Sequence, residues 1–174
     1  MKNPLLTVYL LIILGAIAVG AVHGLVWSFL APGSKYKVFT DGTFAMLPTE
    51  SLNRFTDFAI FALLGLAVGV VGAAALWHLR PYRGYPMLVV VTASAALASV
   101  QAGLVGQWAA SGTAPSSIGP SKTESIVTAP PVLTGWPMLL AGPAAAVLVY
   151  TFLVAWNGLP ELGRPAEAES LPVR

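Results

Sequence analysis

Apolar residues run almost without interruption through Pro4–Ala31, Asp57–Leu79, Pro86–Ala110 and Leu133–Trp156, and polar residues collect between these runs. Each run reaches or exceeds the roughly 20 residues an α-helix needs to cross about 30 Å of hydrocarbon. The pattern predicts an all-α integral membrane protein in which residues 1–156 form a four-helix up-down-up-down transmembrane bundle. The segments between the runs are too short to build a separate core. Beyond residue 156, Pro160, Pro165 and Pro172 predict a flexible cytoplasmic tail over 157–174.

The connections carry their own signals. Between the first two runs, Lys35-Tyr36-Lys37-Val38-Phe39-Thr40 has strand character and Asp41-Gly42 follows as a turn dipeptide, which predicts a small extracytoplasmic hairpin. Pro48-Thr49-Glu50-Ser51 reads as a helix start, with Thr49 as N-cap and Glu50 at the positive end of the dipole. The second helix then begins outside the bilayer, about 30 residues and roughly 45 Å long. The connection 111–132 is rich in Ser, Thr, Gly and Pro and ends in Ala129-Pro130-Pro131, so alone in water it is expected to be mobile.

Charge sets the expected orientation. With the N-terminus inside, Lys2, Arg80, Arg83, Arg164 and Arg174 lie on short inner segments, while Lys35, Lys37, Arg54 and Lys122 are spread over longer outer ones. Basic density places both termini in the cytoplasm of a plasma membrane. Lys2 ahead of an apolar run resembles a secretory signal, but the run continues through Trp27 and Phe29, longer than the 7 to 15 residues or so of a signal core, so it reads as a retained helix.

Composition narrows the function. Of 174 residues, 56% are hydrophobic and 9% charged, against roughly 25% charged in soluble domains, which excludes a soluble globular enzyme. The absence of cysteine excludes disulfides, thiolate catalysis, iron–sulfur clusters and Cys-type zinc sites. A net charge of +2 without a Lys/Arg run gives no track for a phosphate backbone, so nucleic acid is not an expected partner. Lipids are.

Small residues recur four apart: Ala16, Gly20 and Gly24; Gly65, Gly69 and Ala73; Ser94, Ala98, Ala102 and Gly106; Gly142 and Ala146. In lipid, close backbone approach along such stripes is how helices gain packing energy, so these are expected to be helix-packing positions. Pro143 predicts a kink in the fourth helix. Trp27, Trp77, Trp108, Trp136 and Trp156 fall near run ends, as an interfacial belt requires.

Little chemistry remains. His23 and His78 invite a bis-histidine haem. On ideal helices they lie about 29 Å from the inner end and about 32 Å from the outer end of their runs, near opposite faces, and cannot share an iron. The centre of every run lacks Asp, Glu, Lys and Arg, unlike ion-moving proteins. Gln101, Gln107, Ser94 and Ser99 read as interhelical hydrogen-bonding groups. Asp41, Glu50, Asp57 and Glu124 read as solvated carboxylates, with Arg54 and Asp57 paired across one turn. There is no phosphate loop, nucleophile elbow or HExxH, so neither catalytic residues, a metal site nor a cofactor is expected.

A structured segment after the first run, Leu76-Trp77-His78 closing the second, and Ile126-Val127-Thr128-Ala129-Pro130-Pro131-Val132 leading to Gly142-Pro143-Ala144-Ala145-Ala146 together make the chain resemble a family of uncharacterised four-span actinobacterial membrane proteins. In size and span number it also resembles the accessory subunits of the actinobacterial cytochrome bcc–aa3 respiratory supercomplex. Four packed runs without intramembrane charge or cofactor ligands, and polar loops and a tail that need a partner to be ordered, lead by subtraction to a non-catalytic accessory or assembly subunit of an integral membrane complex, most concretely that supercomplex, with Tyr36, Phe39, Phe44, Trp27, Pro130 and Pro131 as the expected partner contacts. The alternative is a small carrier or channel, or a partner of a cell-envelope lipid machine, with Gln101, Gln107 and His23 lining a cavity. A quinone or haem shared with a partner through His23 is a third expectation.

Overall fold

The computed structural model describes residues 4–121 and 123–156. The tail over 157–174, and Lys2, Lys122, Arg164 and Arg174 of the charge count, lie outside the described residues.

Four helices form: α1 (Pro4–Leu30), α2 (Ser51–Trp77), α3 (Tyr85–Ala109) and α4 (Ala141–Trp156). With the 3-10 turns Pro48–Glu50 and Pro137–Leu140 that lead into α2 and α4, all four are long and apolar enough to cross a membrane. Large apolar side chains such as Leu11, Phe29, Leu63, Leu104 and Leu148 point away from the protein, the arrangement expected where lipid is the solvent. The chain is a mostly helical, multi-pass membrane protein.

Two expectations about helix ends are corrected. Thr49 does not cap α2: Leu47 holds the cap position of the 3-10 turn, Glu50 that of α2, and neither makes a side-chain cap bond. Pro48 opens the turn, so Thr49 lies inside it. Glu50 ties the helix start to the preceding strand segment at Lys35 instead, accepting from Lys35 N at 3.2 Å and Asn53 Nδ2 at 2.7 Å. Pro143 does not kink a helix interior. Because α4 begins at Ala141, it occupies the first turn, where N–H groups have no intrahelical acceptor and none is lost to proline.

The two most extensive interfaces do not join neighbours in sequence. α1 packs along α3, α2 along α4, and α3 against α4, whereas α1 and α2 touch sparsely. Small residues permit this. Gly20 faces Ala98, Gly24 faces Ala102 and Gly106, and Gly65 and Gly69 face Gly142 and Ala145. Residue numbers rise together in both sets, so α1 runs parallel to α3 and α2 parallel to α4. One buried cluster joins Trp27, Ala31, Phe61, Ala102 and Met138. A second, at the opposite end, joins Ala73, Met87, Val91, Ala146 and Tyr150, with Tyr150 Oη accepting from Gly84 N at 3.3 Å.

Three strands cover the end marked by Trp27: β1 (Ser34–Val38), β2 (Phe44–Met46) and β3 (Ser125–Ala129). The sheet order is β2-β1-β3, with both pairings antiparallel. β1 and β2 are joined through Asp41-Gly42, where Gly42 takes φ +85° and Asp41 Oδ1 accepts from Thr43 N and Thr43 Oγ1. Those bonds hold the Asp41 carboxyl below its ordinary value. The turn keeps this support above the usual carboxylate range and loses it as pH falls through the lowered value.

The connection 111–132, expected to be mobile, contributes β3 and is fixed along β1 from Ser34↔Ala129 to Val38↔Ser125. The β-branched run Ile126-Val127-Thr128 supplies the strand, and β1 supplies a partner that the connection read in isolation lacked. Lys37 and Glu124 close the pairing with an exposed ion pair at 2.7 Å.

Candidate functional site

At the sheet end α1 meets α2 through a compact polar and aromatic knot. Trp27 Nε1 donates to the Asp57 carbonyl at 2.8 Å, and the Trp27 ring sits edge-on to Phe61 at 5.9 Å. His23 lies over Phe61 at 4.6 Å with Nε2 3.2 Å from the Phe61 carbonyl. With Nε2–H donating, the neutral ring keeps Nδ1 as an acceptor.

Asp57 is the unusual member. Its side chain is 1% exposed, not solvated. The Val132 backbone N–H faces the carboxylate, while Oδ1 has no hydrogen-bond partner among the described residues. Nor does Asp57 form the expected ion pair with Arg54, whose guanidinium donates to Tyr36 Oη at 3.0 Å. An unpartnered carboxylate oxygen in an apolar setting costs stability. Asp57→Asn keeps the size and the oxygen facing Val132 while removing the charge, and is expected to raise the melting temperature in detergent. A fall would show that a carboxylate is better accommodated there than an amide.

Below the knot the helices part. A cavity of about 700 Å³ opens between α1 and α2, with Val8, Leu11, Gly15 and Val19 on one wall and Val68, Gly72, Leu76 and Leu79 on the other. Val91, Ser94, Ala98 and Ala146 from α3 and α4 form its floor. A smaller cavity of about 350 Å³ shares Val19 and Val68 with it and continues toward His23. Leu11 and Val71 on the rim are 63% and 67% exposed, so the opening faces sideways, where lipid would be. Apart from Ser94 the larger cavity is lined by apolar residues and glycine.

The expected site residues separate into groups. Gly20, Gly24, Ala98 and Ala102 meet at the α1/α3 interface, and Gly65, Gly69 and Gly142 meet at α2/α4. Of the expected partner contacts, Phe44 is exposed, while Tyr36, Phe39 and Pro130 are half-buried. Trp27 and Pro131 are buried within the chain and offer no outer surface, which corrects their assignment. The rule that tryptophan sits at the interface gives depth along a helix, and Trp27 faces inward because its N–H finds the Asp57 carbonyl.

Gln101 is half-buried and Gln107 exposed, and neither lines the α1/α2 cavities; of the proposed lining set only His23 does. His78 caps the far end of α2, about 26 Å along the helix from the Phe61 level of His23. No cluster of His, Asp and Glu able to hold a metal occurs among the described residues. The cavity escaped the sequence reading, although Gly15 and Gly72 were its signal: both stand off the four-residue stripes, and a Cβ at either would meet nothing within 4 Å.

Against known families, residues 16–164 match DUF2567, a protein family of unknown function. The chain belongs to that family. The match takes in all of α2, α3 and α4, the three strands and the second half of α1, so it covers the sheet and the knot, while Val8, Leu11, Ile12 and Gly15 of the cavity wall precede it. No curated protein and no solved structure matches the chain.

Proposed function

We propose that this DUF2567 protein is a non-catalytic accessory subunit of a larger membrane complex. In this reading the four helices cross the plasma membrane up-down-up-down, with the sheet on the extracytoplasmic side and both termini inside. The parallel α1/α3 and α2/α4 pairs and the basic His78–Arg83 connection support that arrangement.

The observation that carries the proposal is the sheet's surface. Ile126 on β3 and Phe44 on β2 are 64% and 47% exposed outside the helices, on the two outer strands of the sheet and, by register, on its opposite faces; the outer side of β3 takes a bond from Thr113 N to the Thr128 carbonyl. Exposed apolar residues on outer strands are suited to bind a protein by strand addition or side-chain docking. The resemblance to supercomplex accessory subunits makes the cytochrome bcc–aa3 assembly the first partner to test. A Phe44→Ser/Ile126→Ser double variant is expected to keep the wild-type melting temperature and to lose co-purifying subunits from native membranes. Undiminished co-purification would contradict the assignment of the sheet as the contact.

A second reading, a carrier for lipid or a neutral solute, is favoured by the α1/α2 cavity. Its lining would then be the wall residues around Gly15 and Gly72 with His23 above, rather than Gln101 and Gln107.

A further inference from the structure

We propose that the α1/α2 cavity is a binding site for one acyl chain of an anionic phospholipid, with Arg80 holding the phosphate. The inference rests on the membrane-spanning reading alone and is indifferent to whether the chain acts as a subunit or a carrier.

Length, lining and charge point to the same occupant. From Val8 to Val19 on α1, and from Ala67 to Leu79 on α2, the walls run about 16 to 18 Å at 1.5 Å per residue, close to half of the roughly 30 Å hydrocarbon layer. That is the depth of one leaflet. The volume, about 700 Å³, is in the range of sites that enclose small apolar ligands. With Ser94 the one polar side chain in the lining, the floor offers no hydrogen-bonding pattern for a polar solute, while hydrocarbon needs none.

The cavity ends at Leu79, and Arg80 follows immediately. Its exposed side chain forms no hydrogen bond or ion pair with the other described residues. The neighbouring groups are committed elsewhere: Arg83 Nε donates to the Trp77 carbonyl at 2.9 Å with its guanidinium over the Trp77 ring, and His78 Nδ1 lies 2.9 Å from the Ala74 carbonyl. Among the described residues, Arg80 is therefore the uncommitted cation at the headgroup end of a tail-sized slot. A guanidinium pairs with a phosphate through two parallel hydrogen bonds, and an anionic headgroup adds attraction that a zwitterionic one offsets.

The cavity exists because side chains are missing at Gly15 and Gly72, which gives a selective way to close it. A Cβ at either position enters open space, so leucine there is expected to extend into the cavity and to leave the helix–helix contacts in place. The test is native mass spectrometry of the full chain in mild detergent, titrated separately with phosphatidylglycerol and phosphatidylcholine, with melting temperature as the folding control. The wild-type chain is expected to retain one phosphatidylglycerol in preference to phosphatidylcholine. Gly72→Leu should lower retention of both at least tenfold, and Gly15→Leu, from the opposite wall, should do the same if Gly72→Leu does not fold. Arg80→Gln should keep tail binding and bring the two lipids to equal retention.

Folded filling variants that bind lipid as the wild type does would overturn the site. An unchanged preference in Arg80→Gln would overturn the role of Arg80. Retention of a neutral isoprenoid, or of a second copy of the chain, in place of phospholipid would overturn the occupant. Loss of partner subunits is read in a different sample, so failure of this site and failure of the subunit proposal are separable.

Discussion

Trp27→Ala is expected to destabilise the bundle by about 3–5 kcal/mol, the range for deleting a large buried aromatic. Trp27 of α1 is fully buried and belongs to the cluster that joins Ala31 just past α1, α2 (Phe61), α3 (Ala102) and the turn before α4 (Met138). Truncation leaves an indole-sized void between them and an Asp57 carbonyl without its donor. Trp27→Phe separates the two contributions: it keeps much of the apolar area and loses the N–H, so roughly 1 kcal/mol plus a smaller void cost is expected. Unfolding in mixed micelles with rising denaturing detergent measures both. A Trp27→Ala midpoint equal to wild type would mean that the knot does not hold α1 to α2.

Gly24→Ala should destabilise by about 1–3 kcal/mol, although alanine is the better helix former. A Cβ at Gly24 runs into the Ala102 carbonyl and comes within 2.8 Å of Gly106 N, both backbone, so α1 and α3 must separate. The same substitution at Gly15, nine residues away on the same helix, meets nothing within 4 Å. Gly15→Ala is therefore expected to be neutral or to stabilise by up to about 1 kcal/mol from helix propensity. The opposite signs in one unfolding assay are the test. Equal effects at the two positions would show that α1 does not pack on α3 in this register.

What could be read from the sequence follows from which forces are local. Four long apolar runs fix four helices because lipid leaves the backbone no other way to satisfy its hydrogen bonds, and Asp41-Gly42 marks a turn because its chemistry is contained in a few residues. Partners distant in sequence were not legible. The third strand needed β1 beside it, and Ile126-Val127-Thr128 alone among polar neighbours read as a loop. Pro143 looked like a kink until the helix start fell at Ala141. The direction in which a residue faces was equally hidden. Trp27 and Asp57 were placed at the right end of their helices but turned outward, and the structure turns both inward, one toward the other's carbonyl.

The small-residue pattern gave the packing positions but not the pairing, because stripes on four helices do not say which helix meets which. Pairing α1 with α3 and α2 with α4, rather than sequence neighbours, is what leaves α1 and α2 apart and opens the cavity between them. The sheet and knot close that gap at one end, so the exposed strand residues and the lateral slot are separate features of the molecule.

The most direct test of the subunit proposal is the mass and visible spectrum of the tagged, unaltered chain purified from its native membrane in a mild detergent. The account predicts an assembly far heavier than the 18.1 kDa chain, containing other membrane subunits in fixed ratio and showing the haem bands of a cytochrome complex. A monodisperse 18.1 kDa species carrying lipid and no other protein would contradict it, leaving the lipid slot as the functional site.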